Sequence, residues 1–213
     1  MKIQPLVVAG GHSRRFGATK ALAPLAGSTF IDLTIDALEL AVGHPPWIGV
    51  RNLADCHDLT AHLLARPATT FIEDHRDLCG PIASVAAALC QAGREKIDWV
   101  FVAGCDTPAI QPGLISALCQ RACNAGDDVQ AIVPRTRTQR GMMYQALHAL
   151  YRPKALPAAA SAPNLQAFVD SLHPVDVIDE IELGELDSNA AISIFNVNTR
   201  EDLYHLERLL FAL

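Results

Sequence analysis

The chain has 213 residues, half of them apolar, and a formal net charge of −6. That length supports one α/β domain with a substantial core and argues against a second domain of full size. The acidic balance excludes an extended nucleic-acid surface, which needs a basic stripe, and no apolar run approaches the roughly 18 to 20 residues that span a bilayer.

In chain order, Lys2 and a strand-like run do not form a secretory leader, so a cytoplasmic location is expected. Short apolar runs at Ile3–Ala9, Trp47–Val50, Thr69–Ile72, Trp99–Ala103 and Val129–Val133 predict strands covered on both faces. Between them, Phe30–Val42 places Ile31, Ile35, Leu38 and Val42 on one helical stripe, with Thr29 as N-cap and Asp32 in the first turn. Ile82–Cys90 and Leu114–Cys123 follow the same pattern, the latter behind Pro112. This alternation over the first 135 residues predicts a single doubly wound, mainly parallel α/β sheet flanked by helices, with ligands at the carboxyl ends of its strands. Beyond residue 135, Met142–Leu150 and Val175–Ile181 read as strands, and Pro153–Pro163 as a loop or ragged helix. Ile192–Val197 reads as a final strand, followed by a helix capped by Thr199 and running through Leu213. One domain, 1–213, is expected, with a nucleotide-binding part (1–135), a less regular acceptor-side part (136–198) and a closing helix (199–213).

Three polar segments follow apolar runs: Gly10-Gly11-His12-Ser13-Arg14-Arg15-Phe16-Gly17-Ala18-Thr19-Lys20, Cys105-Asp106-Thr107-Pro108 and Asn196-Val197-Asn198-Thr199. The first fits neither G-x-G-x-x-G nor G-x-x-x-x-G-K-[ST]. Its paired glycines allow close backbone approach, Ser13 adds a hydroxyl, and Arg14, Arg15 and Lys20 add charge, a combination suited to a polyphosphate. Asp106 offers the carboxylate that suits the magnesium ion accompanying a polyphosphate. Together these read as a nucleotide-dependent transferase.

Six cysteines (Cys56, Cys79, Cys90, Cys105, Cys119 and Cys123) form no C-x-x-C pair and are expected to be reduced and mostly buried. Cys119 and Cys123 stand four apart on a predicted helix, but no neighbouring pair completes a metal site. His57 and His62, five apart, do not share a helix face and are expected on the surface. Cys105 has no evident partner base that would make it a nucleophile.

Gly10-Gly11-x-Ser13-x-Arg15-x-Gly17-x-x-Lys20-Ala21-Leu22 resembles the signature loop of the MobA-like nucleotidyltransferases. Phe71-Ile72-Glu73-Asp74 with Gly80-Pro81-Ile82-Ala83, then Cys105-Asp106-Thr107-Pro108, then Asn196-Val197-Asn198-Thr199-x-Glu201-Asp202-Leu203, resemble further motifs of that family in the same order. Within the family, Ala9-Gly10-Gly11 resembles the members that use GTP rather than those that use CTP or UTP. The resemblance implies a nucleotidyltransferase fold, transfer of GMP from magnesium GTP to the phosphate of molybdopterin, and release of pyrophosphate. It leaves room for a cofactor-delivery protein as partner. By the same resemblance, Val8, Ala9 and Gly10 form the wall on which the nucleotide lies, Lys20 contacts phosphate, and Asn52 and Asp74 contact the nucleoside. Asp106 is both a nucleotide contact and the magnesium ligand. Gly11, Ser13 and Gly80 complete the expected nucleotide site, and Arg15, Lys20 and Asp106 the expected catalytic set. Asp74 could accept from the guanine N1–H and amine or from a ribose hydroxyl. Asn196 and Asn198, alternating on the predicted strand, either bind phosphate or a metal-bound water, or fix the turn before the last helix.

The chain departs from the family at Phe16, Thr19 and Ser84, where Met, Asp and Gly are usual, and more widely over residues 136 to 190. Tyr144-Gln145-Ala146-Leu147 has Ala where Pro is usual, and Pro163–Leu172 lacks the customary Gly and Arg. Transfer to another phosphorylated acceptor, use of CTP, and a nucleotide- or cofactor-binding relative without turnover therefore stand as alternatives.

Overall fold

A computed structural model describes residues 1–9, 20–66, 68–138 and 141–210. In chain order these fold as β1 (Ile3–Val8), a hairpin of β2 (Pro24–Leu25) and β3 (Ser28–Thr29), α1 (Phe30–Val42), β4 (Trp47–Val50), α2 (His57–Leu63), β5 (Thr70–Glu73), α3 (Pro81–Glu95), β6 (Trp99–Gly104) and α4 (Pro112–Asn124). Then come β7 (Ala131–Thr138), β8 (Gly141–Tyr144), β9 (His148–Tyr151), α5 (Leu156–Ser161), α6 (Leu165–Ser171), β10 (Val175–Ile178), α7 (Glu180–Leu186), α8 (Ala190–Ser193) and α9 (Arg200–Leu210).

The main sheet has the order β10-β7-β9-β6-β1-β4-β5, with β8 also paired to β7. Neighbours are parallel except where β8 and β9 run antiparallel. Alternate residues of each strand feed two cores. Val7, Phe101, Ile132 and Leu150 meet α1, α2, α4 and α7 on one face, while Leu6, Val100, Val102 and Val133 meet α3, α5 and α6 on the other. Ile31, Ile35 and Leu38 of α1 are buried as the helical stripe requires, and Thr29 Oγ1 accepts from Asp32 N at 3.3 Å. A third apolar cluster joins the β2–β3 hairpin to α9 through Leu25, Phe30, Val197 and Leu206.

Several elements differ from the sequence reading. Met142–Leu150 is not one strand: β8 pairs β7 in the register Arg135↔Tyr144 and β9 in the register Ile132↔Leu150, so Gln145–Leu147 bulge out between them. Val175–Ile181 stops at Ile178 because Asp179 Oδ1 accepts from Ile181 N and Glu182 N, both at 3.0 Å, and starts α7. Ile192–Val197 is no strand. Ala190–Ser193 is helical, and the apolar pattern reflects packing of Ile192 and Phe195 on the α9 cluster and Ile194 on the α1–α4 side. Pro153–Pro163 is a 3-10 turn (Pro153–Ala155) continued by α5. The six cysteines are free, but Cys105 alone is buried, and Cys79 and Cys123 are exposed. The sequence pattern signals neither α2 nor the β2–β3 hairpin. Among the described residues no helix is long and apolar enough to cross a membrane.

Candidate active site

The carboxyl ends of β4 and β5 and the start of α3 enclose a cavity of about 860 Å³, lined by Val8, Asn52, Asp74, Gly80 and Ser84 among others. Gly80 (φ +78°) turns the chain into α3 behind Pro81, a conformation that side chains resist. Its neighbour His75 is held by a bond from His75 N to Ala83 O at 3.1 Å. Asn52 caps a 3-10 turn by accepting from Ala54 N at 2.8 Å, and Glu73 Oε1 accepts from Leu53 N at 3.0 Å. Asp74 N extends the β4–β5 ladder to Val50 O at 2.9 Å. The Asp74 carboxylate accepts from the hydroxyl of Ser84, a residue only 1% exposed. Burial raises the Asp74 carboxyl above its ordinary range, against the Ser84 hydrogen bond and the Arg51 charge, which lower it. Ser84 is itself closely seated, since a Cβ on Gly49 would stand 3.0 Å from the Ser84 Cβ.

A second polar group lies one strand away. Beyond β6, Thr107 Oγ1 donates to Gly104 O at 3.0 Å and closes the turn that presents Asp106. Gly104 leaves the room that Asp106 occupies: a side chain on it would displace Asp106 Oδ1 and crowd Leu147. Lys20 opens a 3-10 turn, Lys20–Leu22, anchored by buried Ala21. Its Nζ lies 3.4 Å from Asp106 Oδ2 and donates to Asn198 Oδ1 at 3.0 Å. Asn198 reaches this point because Val197 N donates to Asp106 O at 2.8 Å. Thr199 and Asp202 fix the same segment as a reciprocal cap: Asp202 Oδ2 accepts from Asn198 N and Thr199 N, and Thr199 Oγ1 accepts from Asp202 N.

Val8, Asn52, Asp74 and Gly80 thus share one cavity, and Lys20 and Asp106 share the adjoining cluster. Buried Ala9 joins them: Ala9 N donates to Gly49 O at 2.9 Å on one side of β1, and Cys105 N to Val8 O at 3.2 Å on the other. Gly10, Gly11, Ser13 and Arg15, with Arg14, lie outside the described residues. Asn196 and Asn198 are exposed on either side of buried Val197 without belonging to a strand; Asn198 joins the Lys20 cluster. Burial pushes the Cys105 thiol up to about 12, with the Asp106 charge acting the same way, so no thiolate forms there near neutrality. His62 Nε2 lies 2.7 Å from Asp32, a surface pairing away from the cavity. In the sequence Ser84 stands out only as a departure from glycine; its bond to Asp74 arises from the fold.

Among the described residues no three His, Cys, Asp or Glu side chains gather as a metal cage. Two hard oxygen atoms, Asp106 Oδ2 and Asn198 Oδ1, do converge on one ammonium, which shows that the spot favours a cation. A single carboxylate with a neighbouring amide suits an ion that takes its other ligands from phosphate and water, as magnesium does.

Residues 5–175 match the model of the MobA-like NTP transferase domain. A probable molybdenum cofactor guanylyltransferase of Chloroflexus aggregans is 33% identical over 211 residues, covering 95% of this chain and 92% of that protein. The crystal structure of molybdopterin-guanine dinucleotide biosynthesis protein A from Archaeoglobus fulgidus superposes with a TM-score of 0.77 at 24% identity, over 99% of this chain and 100% of that one. A Mycobacterium tuberculosis protein solved in complex with manganese superposes with a TM-score of 0.64 at 16% identity, over 98% of each chain. The structural likenesses carry the fold and the family match carries the class: the chain belongs to the MobA-like NTP transferase domain family and is a nucleotidyltransferase.

Proposed function

We propose that the protein transfers GMP from magnesium GTP to the phosphate of molybdopterin. The part up to residue 135 would hold the nucleotide, and residues 136–198, with the strand β7 that leads into them, the acceptor. One observation carries the reading: a single edge of the sheet sets a cavity of about 860 Å³, with room for a nucleotide and lined by Asp74, beside the Lys20–Asp106–Asn198 cluster. Asp74, with one oxygen engaged by Ser84, keeps acceptor capacity for the N1–H and amine of guanine, while Val8, Asn52 and Gly80 wall the nucleoside. Asp106 and Asn198 would hold the divalent ion, which when bound supplies positive charge to the triphosphate.

In the transfer, an acceptor phosphate oxygen forms a bond to the α-phosphorus. The bond from that phosphorus to the β-phosphate oxygen breaks, and its electron pair leaves with pyrophosphate. The acceptor oxygen is already anionic near neutral pH, so no protein nucleophile is needed, and positioning with charge stabilisation carries the rate. Lys20 leaves Asp106 and Asn198 to follow the charge growing on the phosphates. Gly10, Gly11, Ser13 and Arg15 belong to the same phosphate site in this reading.

The test is to incubate the protein with magnesium, molybdopterin and each of the four NTPs, and to measure pyrophosphate. GTP should be the effective donor, since a site built to pair one base edge rejects bases that leave its polar groups unmatched. Equal turnover with CTP would overturn the guanine assignment, and no pyrophosphate with any NTP would overturn the acceptor.

A further inference from the structure

The acceptor side of the edge contains a cation that the nucleotide does not need. β7 alternates Ala131, Val133, Arg135 and Arg137 toward one face of the sheet. Ala131 and Val133 place that face in the core shared with Leu6, Val8 and Val102, which is the side where the Asp106 carboxylate lies over Gly104. β6 and β7 run in the same direction on either side of β9. Val100 and Ala131 both register with Tyr151, which brings Arg135 level with Gly104. Two strand spacings, about 10 Å, separate the two backbones, and the Gln145–Leu147 bulge lies between them, bonded to the end of β6 through Gly104 N and Leu147 O at 3.1 Å and to β7 through Gln145 N and Pro134 O at 2.7 Å.

Arg135 has a further property. Its Nε is buried and has no hydrogen-bond partner, and among the described residues no carboxylate pairs with either the Arg135 or the Arg137 guanidinium. Among the described residues, other half-buried arginines are partnered: Arg121 grips Asp176 and Glu182, Arg66 grips Asp32 and Asp36, and Arg152 donates to the carbonyls of Val129 and Gly126 and stacks on Trp99. A buried donor without a partner costs free energy, about 1–3 kcal/mol, so the fold itself supplies this guanidinium with no acceptor at Nε. The neighbouring backbone is meanwhile secured independently: Gln145 Nε2 donates to Thr136 Oγ1 at 2.7 Å, and Gln166 bonds both the N–H and the carbonyl of Tyr144.

We infer that Arg135 is an acceptor-binding residue, its guanidinium holding the phosphomonoester of the second substrate against the α-phosphate, with exposed Arg137 drawing that anion toward it. This rests on the transferase reading above. The electrostatics require such a group, because a phosphate dianion must approach a triphosphate, and Lys20 together with Asp106 serves the nucleotide side of that encounter. A planar guanidinium can hold two phosphate oxygens at once and leave the third free to attack.

The experiment compares wild type, Arg135→Gln, Arg135→Lys and Arg137→Gln by steady-state kinetics with molybdopterin and GTP. Arg135→Gln should raise the KM for molybdopterin by about ten- to a hundredfold, the range for losing a charge-assisted pair, with the KM for GTP unchanged. Arg135→Lys keeps the stem that packs on the sheet and should raise it less; it also serves where the glutamine variant fails to fold. Arg137→Gln should have a smaller effect that disappears at high salt. An unchanged molybdopterin KM in Arg135→Gln, or an equal rise for GTP, would overturn the inference. If wild type does not use molybdopterin, the acceptor identity fails separately. Phosphorus NMR line broadening of methyl phosphate, added to protein saturated with a non-hydrolysable GTP analogue, then decides. Binding lost in Arg135→Gln supports the inference, and binding that is absent from wild type or equal in both overturns it.

Discussion

The two halves of the sheet edge are built differently. From β5 to β6 the strands are parallel, and the polar groups sit just past the strand ends: Asn52 after β4, Asp74 after β5 and Asp106 after β6. From β9 to β10 an antiparallel strand is interposed, and the polar groups (Arg135, Thr136, His148) lie within the strands themselves. Groups on turns can be exchanged with little cost to the ladder, because their side chains bond local turns and neighbouring side chains rather than the strands. Groups within strands are bound up with the core, so function and stability are coupled there.

The largest effect that would sharpen this contrast is at Asp106. Asp106→Asn keeps the shape and the Val197–Asp106 backbone bond but removes the charge opposite Lys20, and kcat should fall on the order of 10³-fold with a melting temperature close to wild type. Near-normal metal-dependent turnover would remove Asp106 from the reaction. On the other half the expected loss is of stability. His148 on β9 is 2% exposed with Nε2 unpartnered, and burial lowers its pKa to about 4, against the Ser193 and Leu147 backbones, which raise it. An unfolded chain takes up the imidazole proton near pH 6.5 while the folded one resists until about pH 4, so stability is full above 6.5 and is lost as pH falls through that window. Urea unfolding should show wild type losing about 3 kcal/mol more than His148→Gln between pH 7 and pH 4. Parallel losses in the two proteins would contradict the neutral, buried imidazole.

Lys20→Ala returns to the turn-built half. Its kcat should drop on the order of 10²-fold while the KM for GTP changes less; a raised KM at constant kcat would make Lys20 an anchor only. The smallest effect expected is from Ser84→Ala. Losing the hydroxyl bond raises the Asp74 carboxyl further, so GTP affinity should weaken about tenfold, and its decline on acidification should begin at higher pH than in wild type. Calorimetric titration across pH 5 to 8 reads both; an identical profile would show that Ser84 does not orient Asp74.

The same contrast explains what the sequence discloses. Trp47–Val50 and Phe30–Val42 stand where their apolar patterns put them, because each pattern answers to one sheet face or one helix stripe. Asp74 and Asp106 are legible because polar residues directly after apolar runs stand out, and Lys20 because it closes the glycine-rich, cationic segment after the first run; Asn52 is reached only through the family resemblance. Arg135 alternates with threonine inside a strand and looks like a solvated edge; its buried, orphaned Nε is a property of the folded chain. Ile192–Val197 misleads for a related reason: its apolar residues are shared between two layers, which imitates strand alternation. The Ser84–Asp74 bond spans two elements whose approach is set by Gly49, a relation no local pattern encodes.

The contact between Lys20 and Asn198 closes 178 positions of sequence. During synthesis at roughly 5–20 residues per second, about 10 to 35 s separate the emergence of the lysine from that of its amide partner. The β1–β4–β5 region and α3 can assemble in that interval, since their pairings need only the first half of the chain. The Asp106 turn, whose carbonyl waits for Val197, cannot be locked until the last helix is available. A nascent chain of this protein can therefore form the cavity beside Asp74 well before it is able to hold Lys20 in place, so that the Lys20–Asp106–Asn198 cluster is completed only after residue 198 has been made.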